Sequence, residues 1–345
     1  MKVKYLWILV LLLIFFGGAA QCSVPSATPA KSEEVMVEPK ASGEHAHTSV
    51  ETSELAAVSL KPGEKLKVVA TNSIVADMVK NVGGDLIDLS YLLPLGSDPH
   101  SFQATPQDVA KVAAAHVLFA NGMGLEEFLS ELIKNAGGQT AAVSLSEGVE
   151  TRQMSAAEMA AEGEHQAEHA GVDPHTWTTP ANAIIFVENI KKALSTLDPA
   201  NAATYKANAE KYQGQLKELD TWIKAQIETI PADNRKLVTD HAIFGYYADR
   251  YGLEQVGAVI PSFSTSAEPS AQELAALEKV IKEQGVKAIF VGNTVNPGLE
   301  QRVADDVGLK LMTLFTESLG PEGSGAETYL NYTRYNTKAI VEALK

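Results

Sequence analysis

Residues 199–231 read PANAATYKANAEKYQGQLKELDTWIKAQIETIP. Between Pro199 and Pro231 no proline interrupts the run, and Gly214 is its only weak point. Leu216, Leu219, Ile223 and Ile227 recur at a spacing of three or four, the period of a helix with one apolar face. Asp198 precedes the run as a cap, and Pro231 lacks the N–H needed to continue it. Helical from Ala200 to Ile230, the stretch would extend about 45 Å at about 1.5 Å per residue, enough to cross a small domain. It reads as a single connector, residues 198–231, between two lobes.

Outward from the connector the pattern is the same on both sides. Upstream, strand patterns at 65–70, 86–93, 116–120 and 140–145 alternate with helical patterns at 71–82, 105–115, 124–136 and 180–197. Thr105-Pro106-Gln107-Asp108 has the form of an N-cap with proline at the first helical position. Downstream, strands at 236–240, 255–260, 287–291 and 310–315 alternate with helices at 244–251, 270–284, 297–307 and 326–344. Such alternation predicts parallel βαβ units. The expected fold is α/β: two lobes, 64–197 and 232–345, each with a parallel sheet flanked by helices.

The remaining segments are a leader, a tether and a loop. Lys2 and Lys4 precede an unbroken apolar stretch at 6–16 and the small residues Gly17, Gly18, Ala19 and Ala20, the layout of an export signal. The only cysteine, Cys22, excludes an intramolecular disulfide. Placed after the small residues it resembles a lipidated bacterial lipoprotein cysteine, with Gln21 a departure from the usual Gly or Ala. The chain is expected to be exported, with 1–22 as signal peptide and Cys22 as membrane anchor. Residues 23–63, rich in Ser, Pro, Ala and Glu, read as a flexible tether carrying His45 and His47. Residues 147–171 form an acidic loop with His165 and His169, long enough for a functional excursion.

A formal charge of −15, from 28 basic and 43 acidic residues, argues against nucleic acid as a partner, because no basic footprint is present. It is compatible with attracting a cation. The tripeptide Asp-Pro-His occurs twice, as Asp98-Pro99-His100 and Asp173-Pro174-His175. Proline stiffens each turn, so the imidazole loses little further freedom on binding a ligand. His241 follows the strand at 236–240 and Glu317 follows the strand at 310–315. Ligands of open parallel sheets sit beyond strand C-termini, so His100, His175, His241 and Glu317 are expected to meet at one divalent ion between the lobes. Three imidazoles and a carboxylate suit Zn2+ over Mn2+. Asp98, Asp173 and Asp240 stand within two residues of these ligands and could orient the rings. Trp177, Phe244 and Tyr246 are read as packing around the site and His116 as structural.

These residues carry a resemblance. Asp98-Pro99-His100-Ser101-Phe102, Asp173-Pro174-His175-Thr176-Trp177, His241-Ala242-Ile243-Phe244-Gly245-Tyr246, Glu268-Pro269-Ser270 and Thr316-Glu317-Ser318-Leu319-Gly320 resemble, in this order, the solute-binding proteins of bacterial zinc and manganese ABC importers. The resemblance runs from about residue 64 to the end. It implies two α/β lobes joined by one rigid helix, a buried ion held by His100, His175, His241 and Glu317, and delivery to a membrane permease. Members commonly carry Asp where this chain has Glu317. A third His, as at His241, goes with zinc, and Glu in its place with manganese. The expectation is a monomeric, non-enzymatic zinc receptor, with a manganese receptor as the alternative. A zinc hydrolase would need a general base beside the metal, and no His-Glu-x-x-His stretch exists. A surface adhesin is the third reading.

Overall fold

A computed structural model describes residues 54–153 and 172–345. The leader, Cys22, the tether as far as residue 53 with His45 and His47, and the loop residues His165 and His169 lie outside them. Every described residue falls in a single compact unit.

The first lobe is built on four parallel strands, β1 (Leu66–Ala70), β2 (Ile87–Tyr91), β3 (Val117–Ala120) and β4 (Ala141–Ser144), in the order β2-β1-β3-β4. Helices α1 (Ser73–Gly83), α2 (Pro106–Ala113) and α3 (Leu129–Asn135) connect them, and α4 (Pro180–Leu197) closes the lobe. The predicted start of α2 is a full capping box. Thr105 Oγ1 accepts the Asp108 N–H, and Asp108 Oδ2 accepts the Thr105 N–H at 3.0 Å. His116 is structural as expected, its Nδ1 accepting the Lys67 N–H at 2.9 Å.

The helix expected over 124–136 forms only from Leu129. Glu126 turns back into the lobe, where its carboxylate accepts the Thr71 hydroxyl and the Asn121 and Gly122 N–H groups at 2.7–3.0 Å. That requires a tight turn at Gly122-Met123-Gly124, all at positive φ, which a helix could not supply.

The connector is α5, Ala202–Ile227, 26 residues, or about 39 Å long. It is shorter than the expected run at both ends, with a 3-10 turn at Pro199–Asn201 leading in and turns following it. Asp198 does not cap it; its carboxylate takes the Asn201 amide and the Tyr205 hydroxyl, both at 2.7 Å. The buried stripe is Tyr205, Ala209, Tyr212, Leu216, Leu219, Ile223 and Ile227, the predicted periodicity extended by about three turns at the N-terminal end.

The second lobe holds β5 (Lys236–Thr239), β6 (Glu254–Ala258), β7 (Ala288–Gly292) and β8 (Lys310–Leu314), paired in parallel as β5–β6 and β7–β8 with β5 packed alongside β7. Helices α6 (Gly245–Tyr251), α7 (Ala271–Gln284), α8 (Gly298–Val307) and α9 (Tyr329–Leu344) complete nine α-helices among the described residues. Each lobe therefore places its first and third strands side by side, and the chain leaves them in opposite directions. That is where an open sheet forms a crevice.

One apolar core runs through both lobes. It joins Val68, Phe119 and Ile190 of the first to Leu237, Phe290 and Ile340 of the second through the buried face of α5. Helix α9 packs on α5, β8 and α1. Leu55, Val58 and Leu60 also pack on this core, and the Val58 N–H donates to Leu197 O at 2.8 Å. The stretch expected to be tether as far as residue 63 thus packs on the lobe from Leu55 onward, where those three apolar side chains are partly buried.

Candidate metal centre

Each of the four predicted residues is delivered by a different loop beyond a strand end. His100 lies in the loop after β2, and His175 lies ahead of α4. His241 stands two residues past β5 and Glu317 three past β8. All four are buried: His100 is 7% exposed and the other three 0%.

The structure brings all four together. His175 Nε2 lies 3.4 Å from His100 Nε2 and 3.3 Å from His241 Nε2. Glu317 Oε1 lies 3.0 Å from His100 Nε2 and 3.6 Å from His241 Nε2. The four donor atoms fall within 4.8 Å of one another, and the group could hold a metal ion. Donors about 2.0–2.1 Å from a tetrahedral ion would be separated by about 3.3–3.4 Å. Four of the six separations, 3.0–3.6 Å, lie around that value.

Glu317 Oε1 is buried and accepts no hydrogen bond among the described residues. An orphaned carboxylate oxygen is costly in a dry interior. A cation among the donors would remove the cost. Its other oxygen, Oε2, accepts the Thr294 hydroxyl at 2.8 Å.

The aspartates orient two rings of the three. Asp173 Oδ1 sits 2.9 Å from His175 Nδ1 and Asp240 Oδ2 sits 3.2 Å from His241 Nδ1. A carboxylate only accepts, so each Nδ1 carries a hydrogen and each Nε2 is turned to the centre, its lone pair available once the ring is neutral. Asp98 was expected to act likewise and does not. Its Oδ1 accepts the His100 backbone N–H at 2.9 Å, and its Oδ2 takes the Ser101 and Thr265 hydroxyls, so the ring of His100 receives nothing from it.

The rings titrate in opposite senses. Burial, with the neighbouring His241, His100 and Arg152 charges, holds His175 well below the usual histidine range. Burial also pulls on His241, but Asp240, Glu317 and Asp98 outweigh it and raise that ring to about 9.

Of the expected packing residues, Trp177 lies with its ring 5.4 Å from His175 and donates Nε1–H to Thr316 O at 3.2 Å. Tyr246 donates to Asp173 O at 2.9 Å, fixing the loop that carries His175. Phe244 packs on Tyr247, one layer back.

Four contributors were not expected. Arg152 bridges Asp173 at 3.4 Å and Asp249 of α6 at 2.9 Å. Asn121 donates to Pro174 O at 2.8 Å. Phe263 stacks edge-on against His175, with ring centroids 6.1 Å apart. Thr294 holds Glu317. Position offered one usable signal: Thr294 follows a strand, β7, as His241 and Glu317 do.

Residues 68–343 match the family described as zinc-uptake complex component A, periplasmic. The chain is 35% identical over 289 residues to the manganese ABC transporter substrate-binding lipoprotein PsaA of Streptococcus mitis, spanning 82% of this chain and 90% of that protein. Its structure is similar to the periplasmic zinc-binding protein TroA from Treponema pallidum, at 29% identity and TM-score 0.73, covering 81% of this chain and 99% of that one. It is also similar to a manganese-bound mutant of the periplasmic metal-binding protein from Candidatus Liberibacter asiaticus, at 28% identity and TM-score 0.71, covering 81% of this chain and 100% of that one. The chain belongs to the zinc-uptake component A family, the metal-binding receptors of ABC importers, which are solute-binding proteins and not enzymes.

Proposed function

Proceeding from that membership, we propose that the protein captures one zinc ion between its lobes and delivers it to a membrane permease. Nε2 of His100, His175 and His241 and Oε1 of Glu317 are the ligands. The observation that carries this reading is the buried Glu317 Oε1, which accepts no hydrogen bond among the described residues and lies 3.0 Å from His100 Nε2 and 3.6 Å from His241 Nε2, with His175 Nε2 3.3–3.4 Å from both those nitrogens. Four donors of this kind, three of them nitrogen, favour zinc in tetrahedral geometry.

The chemistry of capture follows from the rings. Only a neutral Nε2 can donate to the ion, so loading displaces the proton that His241 holds up to about pH 9. His175, held neutral by its surroundings, is ready to bind without that step. Release calls for a rearrangement small enough to leave the shared core intact, because α5 and α9 tie both lobes together. Permease contact would impose it. Cys22, outside the described residues, is the proposed lipid anchor, in keeping with relatives that are named lipoproteins.

Manganese is the second reading. It is favoured by the manganese names of relatives such as PsaA and by the carboxylate in the donor set. Elemental analysis of the purified protein, with competitive zinc and manganese titration repeated on His241→Ala, tests both. One equivalent of zinc, lost in the variant and poorly displaced by manganese, is the expected result. Manganese held as well as zinc makes the second reading correct. No stoichiometric metal would sink the site.

A further inference from the structure

The carboxylate of Glu317 divides its two oxygens between unlike partners. Oε1 faces the three imidazoles and is otherwise bare, while Oε2 is engaged by the Thr294 hydroxyl at 2.8 Å. Strands β7 and β8 are paired in register, Gly292 opposite Leu314. Thr294 and Glu317 therefore leave neighbouring strand ends two and three residues on.

The frame around this contact is stiff. The Thr316 N–H donates to Asn293 Oδ1 at 3.0 Å, tying the two loops directly before the pair. Thr316 O accepts from both Trp177 Nε1 and the Tyr332 hydroxyl, and the Phe315 N–H donates to Asn336 Oδ1 at 2.9 Å. Rotating the carboxylate so that both oxygens face the centre would break the Thr294 bond, with no slack in the backbone to follow it.

We propose that Thr294 is a specificity-determining residue: by holding Oε2 it limits Glu317 to one coordinating oxygen and the centre to four donors. This rests on the reading of the site given above. A four-donor centre suits zinc, whereas manganese favours higher coordination with more oxygen ligands. The second oxygen of Glu317 is one source of a fifth donor, and the Thr294 hydroxyl stands in its way. Removing that hydroxyl frees Oε2 and moves preference toward manganese. An outer hydrogen bond of this kind typically changes metal affinity about 10–100-fold.

The test loads full-length protein with cobalt(II), whose visible bands are intense in four-coordinate sites and weak at higher coordination, and titrates zinc against manganese. Thr294→Val is nearly isosteric; Thr294→Ala removes the hydroxyl without adding bulk; Thr294→Ser restores it. The expected result is weakened cobalt bands and a zinc-over-manganese preference reduced about tenfold or more in Val and Ala, with Ser close to the parent. Two results overturn the proposal: Val and Ala keeping the parent spectrum and preference, or Ser shifting as far as Val. A different failure, no cobalt band in the parent or a band that survives in His241→Ala, overturns the site reading and the proposal together.

Discussion

Asp98-Pro99-His100 and Asp173-Pro174-His175 are the same three residues in two settings. Locally they are alike, because in each the Asp Oδ1 accepts the N–H of the histidine two residues on, at 2.9 Å. Beyond that they diverge. Asp173 is fully buried, reaches the ring of its own histidine at 2.9 Å, and is backed by Arg152 and Tyr246. Asp98 is partly exposed and spends its second oxygen on Ser101 and on Thr265 of the other lobe. One turn aims its imidazole ring, and the other fastens its loop across the cleft. A tripeptide sets a turn, and only its surroundings decide which atom of the aspartate does what.

The largest expected effect concerns protons. A raised His241 and a lowered His175 predict that loading at neutral pH releases about one proton, which comes from His241. The sign follows from competition: below about pH 9 the His241 proton opposes the ion, so apparent affinity falls as pH falls, by about tenfold per unit or about 100-fold from pH 8 to pH 6. Zinc titration with proton-release calorimetry in two buffers checks this. A flat profile between pH 6 and 8 would mean that both rings are neutral and chemically equivalent.

Removing the aspartates separates the two turns. Asp173→Ala leaves the His175 ring without its acceptor and is expected to cost about 10–100-fold in zinc affinity. Asp98→Ala removes no ring contact and is expected to cost less than about tenfold. Competitive titration with a chromophoric chelator decides. Equal losses would break the comparison.

The Asp240–His241 pair depends on Gly292, where a side chain's first carbon would lie 2.3 Å from Thr316 Oγ1 and 3.1 Å from Asp240 Oδ2. Gly292→Ala is therefore expected to destabilise the metal-free protein by about 1–3 kcal/mol, seen as a lowered Tm. An unchanged Tm would show that Asp240 and Thr316 have room to move. The smallest effect belongs to Tyr246→Phe, which deletes one hydroxyl that donates to Asp173 O and accepts the Arg152 N–H at 3.1 Å. It should cost about 1 kcal/mol in denaturant unfolding and only a few-fold in zinc affinity.

Much of this was legible in the residues themselves. The βα alternation, the Thr105 cap and the stripe on α5 are periodic or nearest-neighbour signals, written where chain sterics and local hydrogen bonds act. The four ligand candidates were legible because each is a donor side chain just past a strand or within a proline-stiffened turn. Helix α3 began late because the Glu126 carboxylate takes the distant Thr71 hydroxyl and the N–H groups of Asn121 and Gly122 just before it, in place of a helical turn. Asp198 chose Tyr205 over capping because a buried hydroxyl lay within reach.

By itself, then, the sequence determined the α/β class, the connector and which side chains could ligate an ion, since these depend on composition, period and turn chemistry. Only the tertiary structure decided that Asp173 and Asp240 aim rings while Asp98 spans the cleft, that His241 is raised while His175 is lowered, and that Thr294 holds one oxygen of Glu317. Those outcomes depend on burial and on contacts between residues far apart in the chain, such as Asp98 with Thr265 or Thr294 with Glu317. Hydrogen-bond strength and charge interactions follow distance in space, which no spacing along the chain encodes.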